Sequence, residues 1–171
     1  MLLISVVLTI EIYKTEFLKI KPMLKETLLE IFERDLNKLI TEINLYKDEG
    51  SLWITKEGIS NSAGNLCLHL MGNLNHFIGA ILGNTGYVRE REKEFSLKNI
   101  PRKGLIQSIE NTKLVVKESL SKLTAADFEK FFPLEVFGKP LTTGFMLLHL
   151  TTHLTYHSGQ INYHRRLLAE L

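Results

Sequence analysis

The chain has 171 residues, 44% of them hydrophobic and 23% charged, with a formal net charge of +2. That length suits one domain with a sizeable core, and so small a net charge argues against nucleic acid or an acidic membrane surface as partner. A single cysteine, Cys67, excludes an intramolecular disulfide and points to a reducing, cytoplasmic compartment.

The first stretch, MLLISVVLTIEIYK, is apolar but falls well short of the roughly 20 residues that span a bilayer. No Lys or Arg precedes its apolar run and no small-residue cleavage site follows it. Residues 1–22 therefore read as an N-terminal extension outside the core, and residues 23–171 as the domain. From Met23 to Tyr46, Leu24, Leu28, Ile31, Leu36, Leu39 and Ile43 recur at helical spacing and predict a first helix. A polar connection follows, with Trp53 expected to rest on the bundle from a loop and Asn61 and Ser62 placed to cap the next helix. The second helix is predicted from about Ala63 to Ile81, ending at Gly83 and Gly86.

The next connection includes the run REREKEF, which reads as a solvated face. About twenty residues suffice to travel back along a bundle, so the third helix, from about Lys103 to Leu123, is expected parallel to the second. The stretch TAADFEKFFPLEVFGKPLTTG reads as a short helical turn and an irregular or hairpin-like piece, broken by Pro133, Gly138 and Pro140. Thr142 or Thr143 caps the fourth helix, which runs to about Ala169. Four long amphipathic helices and almost no strand predict an all-α four-helix bundle with a crossover, in which the second and fourth helices are antiparallel neighbours.

The histidines carry the chemistry. His149, His153, His157 and His164 lie on the fourth helix, and His69 and His76 on the second. Residues four apart share a helix face, so His153 and His157 can bind one ion. Phe145, Leu148, Leu150, Leu154 and Ile161 are expected to point inward or flank the seam, and imidazoles on an apolar face need partners. His69 and His76 stand about 10.5 Å apart along the axis and cannot both reach that ion. The antiparallel arrangement allows a set of His69, His153 and His157, with His76 and His149 nearer the other end; spacing permits this set without forcing it. Cys67 reads as a small buried hydrophobe. Gln160 and Tyr156 are candidates to support the ligands or line the pocket, as are His76 and His149. Arg165 and Arg166 read as a solvated helix end.

NLCLHLMGN, followed far downstream by HLTYHSGQINYHRR, resembles the DinB-like superfamily, which includes the bacillithiol S-transferases. The resemblance runs from Met23 onward over nearly the whole chain. LLEIFERDLNKLITEI and GQINYHRR are similar to a little-characterised branch. The resemblance implies a bundle of up-down-down-up topology with a metal held by His69, His153 and His157; the superfamily often has Arg where this chain has Ser158. Three imidazoles without a fourth protein ligand leave positions open, as in catalytic sites, and suit Zn(II) or Ni(II). The implied activity is transfer of a low-molecular-weight, bacillithiol-like thiol to an electrophile. The alternatives are a hydrolase in which the metal activates water, and a non-catalytic metal-binding or structural bundle. A small-molecule substrate and a homodimer are expected by the same analogy, with no nucleic-acid or membrane partner.

Overall fold

The computed structural model describes residues 24–169; the expected N-terminal extension lies outside them. Five α-helices follow in order: α1 (24–44), α2 (Ala63–Leu74), α3 (Arg91–Ser96), α4 (Arg102–Ser121) and α5 (Thr143–Ala169). Short 3-10 turns occupy Gly50–Trp53 and Ala125–Phe128. Among the described residues the only β pairing is an isolated bridge between Phe131 and Thr142. No helix among them is long and apolar enough to cross a membrane.

The predicted caps are in place. Ser62 is the N-cap of α2, its side chain accepting from the Asn65 backbone N–H, and Thr142 Oγ1 accepts from Phe145 N at 3.2 Å. Trp53 lies against α2, where a Cβ on Gly64 would meet its ring at 2.7 Å. Two expectations need correction. The second helix does not continue as α-helix to Ile81: it passes into π-helix at Asn75–Leu82. The register changes where Asn75 Nδ2 donates to Met71 O at 2.9 Å and to Thr112 Oγ1 at 2.7 Å, an insertion of side chain into the helical ladder. On α5, Phe145 and Leu148 do not face inward but are 53% and 46% exposed. The buried side of α5 carries Met146, Leu147, Leu150, Leu154 and Ile161, so the apolar stripe is rotated away from those two residues.

Side-chain bridges between helices give the chain directions. Asp35 accepts from Thr155 and Glu42 from Asn162, both at 2.9 Å, while Tyr46 meets His164 at 2.7 Å. The numbers rise together, so α1 and α5 are parallel. Lys25 reaches Leu123 O, Lys113 reaches Asn37, and Arg102 reaches Tyr46 O; here they run oppositely, so α1 and α4 are antiparallel. Asn75 bonds Thr112, and a Cβ on Gly79 would meet Val115 at 2.8 Å, which makes the second helix parallel to α4. The order is up-down-down-up, and the crossover through α3 brings α4 back alongside α2. The core is a continuous apolar cluster that includes Leu28, Phe32, Leu36, Leu70, Leu74, Leu105 and Leu154.

Arg165 is not part of a solvated end: its Nε bonds Glu42 Oε2 at 3.0 Å. Immediately before it, His164 is buried between Tyr46 OH on Nδ1 and Ile54 O on Nε2, the latter at 3.0 Å. A carbonyl only accepts, so Nε2 carries the proton, and the single proton of the Tyr46 hydroxyl is shared between His164 Nδ1 and Ile161 O, the latter at 3.1 Å. Burial pushes His164 below the ordinary histidine value, opposed by the hydrogen bond to Ile54 and aided by Lys56. A histidine depressed on folding contributes stability that is present above its unfolded pKa of about 6.5 and lost as pH falls toward the folded value. Urea unfolding in the presence of chelator should therefore show wild type losing stability between about pH 7.5 and about pH 5.5, one unit either side of the unfolded value. His164→Gln should lose clearly less over that interval; an equal loss would assign the acid sensitivity elsewhere.

Candidate metal centre

Three imidazoles meet where α2 crosses α5. His69 comes from the middle of α2, and His153 and His157 from successive turns of α5. His69 Nε2 lies 3.3 Å from His153 Nε2, and His157 Nε2 lies 3.1 Å from it. Two nitrogens bound to a tetrahedral ion at about 2.0–2.1 Å stand about 3.3 Å apart. The observed spacing fits a single small cation, and among the described residues these three form a group that could hold a metal ion.

Hydrogen bonding decides which nitrogens point at the centre with lone pairs. His69 Nδ1 is 2.9 Å from Glu94 Oε2. A carboxylate accepts, so Nδ1 carries the proton and Nε2 is free. His157 Nδ1 likewise donates to Gln160 Oε1 at 2.6 Å, and Gln160 Nε2 donates onward to Tyr156 OH at 3.3 Å. A proton on His153 Nε2 could serve one neighbour but not both. At least one pair of lone pairs then faces across about 3 Å in a half-buried place, an arrangement that a cation relieves. His153 does not gain a second proton readily: burial first, then His157, His69, His149 and Arg89, push it down to about 3. His157 is also lowered, by burial and His69 against the Gln160 hydrogen bond. Both shifts favour the neutral ring, the form in which histidine ligates a metal. His153 Nδ1 is buried without a hydrogen-bond partner among the described residues.

The run read as a solvated face supplies the main support of the site, which corrects that reading. Glu94, on α3, is only 6% exposed. Burial alone would raise its carboxyl; hydrogen bonds from His69 and Arg89 hold it below the ordinary value. Arg89 grips both carboxylate oxygens, through Nε at 2.7 Å and Nη2 at 2.9 Å. Asn65, one turn before His69, donates through Nδ2 to Glu94 O and Leu97 O at 3.0 and 2.9 Å, and Lys98 donates to its Oδ1. α3 is therefore fastened to the turn of α2 that presents His69. Sequence reasoning missed Asn65, Arg89 and Glu94. The only signal available was one acidic residue among alternating charges, and nothing in that pattern marks it as buried.

The remaining candidates divide. Gln160 and Tyr156 adjoin His157, whose ring lies 5.2 Å from that of Tyr156. His149 stacks edge-on against Phe137 at 4.8 Å, with its ring 6.0 Å from that of His153. His76 stacks on Phe77 at 4.8 Å. Neither belongs to the three-nitrogen cluster. Ser158 is buried, and its Oγ has no partner among the described residues. Cys67 is fully buried, and burial pushes its thiol up to about 12, so it is neither a ready ligand nor a nucleophile.

The family model described as "Protein of unknown function (DUF1572)" matches residues 26–170. In structure the chain is similar to a DinB-like protein from Bacillus cereus ATCC 10987, with 17% identity and a TM-score of 0.65 over 84% of this chain and 92% of that one. It is also similar to a conserved protein from Enterococcus faecalis, with 15% identity and a TM-score of 0.52 over 90% of this chain and 97% of that one. These likenesses establish a DinB-like fold, as the sequence resemblance implied. No curated protein matches the chain.

Gly72 makes room for the buried carboxylate: a Cβ there would collide with Glu94 Oε1 and stand 2.7 Å from its Cδ. Gly72→Ala should displace Glu94 and cost about 1–3 kcal/mol, as overpacking does. In metal-free protein, nitrogen NMR should show the His69 ring losing its fixed Nδ1–H form. An unchanged His69 spectrum would separate Gly72 from the support of the site.

Proposed function

The chain belongs to the DUF1572 family, and we propose that it is a metal-dependent enzyme in which His69, His153 and His157 hold one Zn(II) or Ni(II) ion. The proposed reaction is transfer of a low-molecular-weight, bacillithiol-like thiol to an electrophile. The observation that carries the metal assignment is the convergence of three Nε2 atoms at 3.1 and 3.3 Å with two of the rings locked by Glu94 and Gln160 to leave those nitrogens unprotonated. Three histidines without a fourth protein ligand favour a site open to a reactant over a closed structural one. When bound, the ion supplies positive charge that stabilises a thiolate at neutral pH.

The protein's own residues supply placement. Glu94 and Arg89 hold the His69 ring at one angle, and Gln160 does the same for His157. The one cysteine is buried and inert, so the reading takes the attacking sulfur from a cosubstrate. In the transfer, sulfur forms a bond to an electrophilic carbon, the leaving group departs with its electron pair, and the thiol proton passes to solvent.

Protein purified without a polyhistidine tag should carry about one transition-metal ion per chain, as a three-ligand site predicts. His69→Ala and His153→Ala should each abolish that metal while retaining helical content. Glu94→Gln should keep it with affinity weakened roughly 10–100-fold. Full retention in His153→Ala would sink the ligand assignment. With the metal-loaded protein, product that appears only when thiol is added supports transfer; turnover without thiol replaces it with hydrolysis.

A further inference from the structure

We propose that the cleft between α5 and the α1–α2 loop is the seat of the electrophile, and that this reactant is an uncharged, flat and largely apolar small molecule. The inference rests on the enzyme reading above and adds the substrate class. The cleft has a volume of about 660 Å³ and is lined by Asn61, Leu66, Tyr156, Gly159, Gln160 and Tyr163 among others. That volume is in the range of about 300–1,000 Å³ that small-molecule sites occupy.

Its position ties it to the histidines. Leu66 lies one turn before His69 on α2, and Gln160, in the cleft wall, accepts from His157 Nδ1 at 2.6 Å. Because α2 and α5 are antiparallel, the cleft is the next level of the groove that holds the three imidazoles. A molecule in it lies against the residue that orients one of them.

Its chemistry selects a neutral occupant. No Asp, Glu, Lys or Arg lines it. Its one titratable heterocycle, His164, already has both ring nitrogens bonded, to Tyr46 and Ile54 O. Of the two arginines between His164 and Leu167, Arg165 is bound to Glu42 and lines a different depression, and Arg166 is not in the cleft wall. A carboxylate placed in the cleft would lose hydration without a cation to replace it. Two tyrosines seven residues apart on α5, Tyr156 and Tyr163, border the cleft while 64% and 61% exposed. Such rings offer a flat apolar face with a polar tip, suited to stacking on a planar ligand.

Gly159 supplies a further observation. It stands inside a 27-residue helix, where glycine costs about 1 kcal/mol relative to alanine. A Cβ there would meet nothing within 4 Å, so no neighbouring helix requires the glycine. What its missing side chain leaves open is the cleft.

The test uses a size-matched pair of probes, neutral 3,5-dinitrobenzamide and anionic 3,5-dinitrobenzoate, titrated calorimetrically into wild type, Gly159→Leu and metal-free His153→Ala. Wild type should bind the neutral probe, with the anion weaker by roughly tenfold or more. Gly159→Leu improves helix propensity and so should fold at least as well, yet it should weaken the neutral probe by about tenfold or more as its side chain fills the space. His153→Ala should bind the neutral probe within about twofold of wild type, since it changes a separate level of the groove. Equal affinity for both probes, no binding to wild type, or binding indifferent to Gly159→Leu overturns the cleft assignment. Failure of the metal reading shows separately, as wild type without metal.

Discussion

Glu94 brings a carboxylate into the interior of a small bundle, and the elements around the candidate centre are arranged to keep it there. A buried charge with no partner costs several kcal/mol. This one meets Arg89 through two hydrogen bonds and His69 through a third. Gly72 leaves the space it occupies, and Asn65 holds the backbone of α3 and its C-cap through the carbonyls of Glu94 and Leu97. The consequence for chemistry is local and specific: His69 is left in the form whose Nε2 has a free lone pair. The crossover between α2 and α4 is therefore a structural part of the site as well as a connection.

Topology does the rest of the positioning. An up-down-up-down bundle would run α2 and α5 in the same direction. Here the crossover returns α4 parallel to α2, which leaves α5 parallel to α1 and antiparallel to α2. One residue on α2 then faces two successive turns of α5, and a three-nitrogen cluster results from a single histidine opposite a pair four residues apart. The same antiparallel groove continues past Leu66 and Gln160 into the uncharged cleft. The imidazoles and the cleft are thus successive levels of one helix–helix seam.

Much of this arrangement is legible in the linear chain because its causes are local. Helical periodicity, the caps at Ser62 and Thr142, the length of the crossover and the spacing of His153 and His157 depend on residues near one another in sequence. What escaped depends on contacts made at a distance. Phe145 and Leu148 match a generic apolar stripe, but the stripe's rotation is set by the neighbours α5 meets. Asn75 looks like any polar helical residue until Thr112 of α4 stands beside it. Gly83 and Gly86 are plausible stops, yet the α-helical register is already lost at Asn75.

By itself the sequence determined four long helices, their all-α assembly and the pair of histidines one turn apart, because backbone hydrogen bonding and side-chain periodicity act over a few residues. Only the tertiary structure decided that Glu94 is a buried partner of His69, that Arg165 belongs to Glu42, and that Gly159 opens onto a cleft. Burial and electrostatic pairing are properties of what surrounds a residue, and in this bundle the surroundings of those three come from segments far away in the chain or from the space between helices.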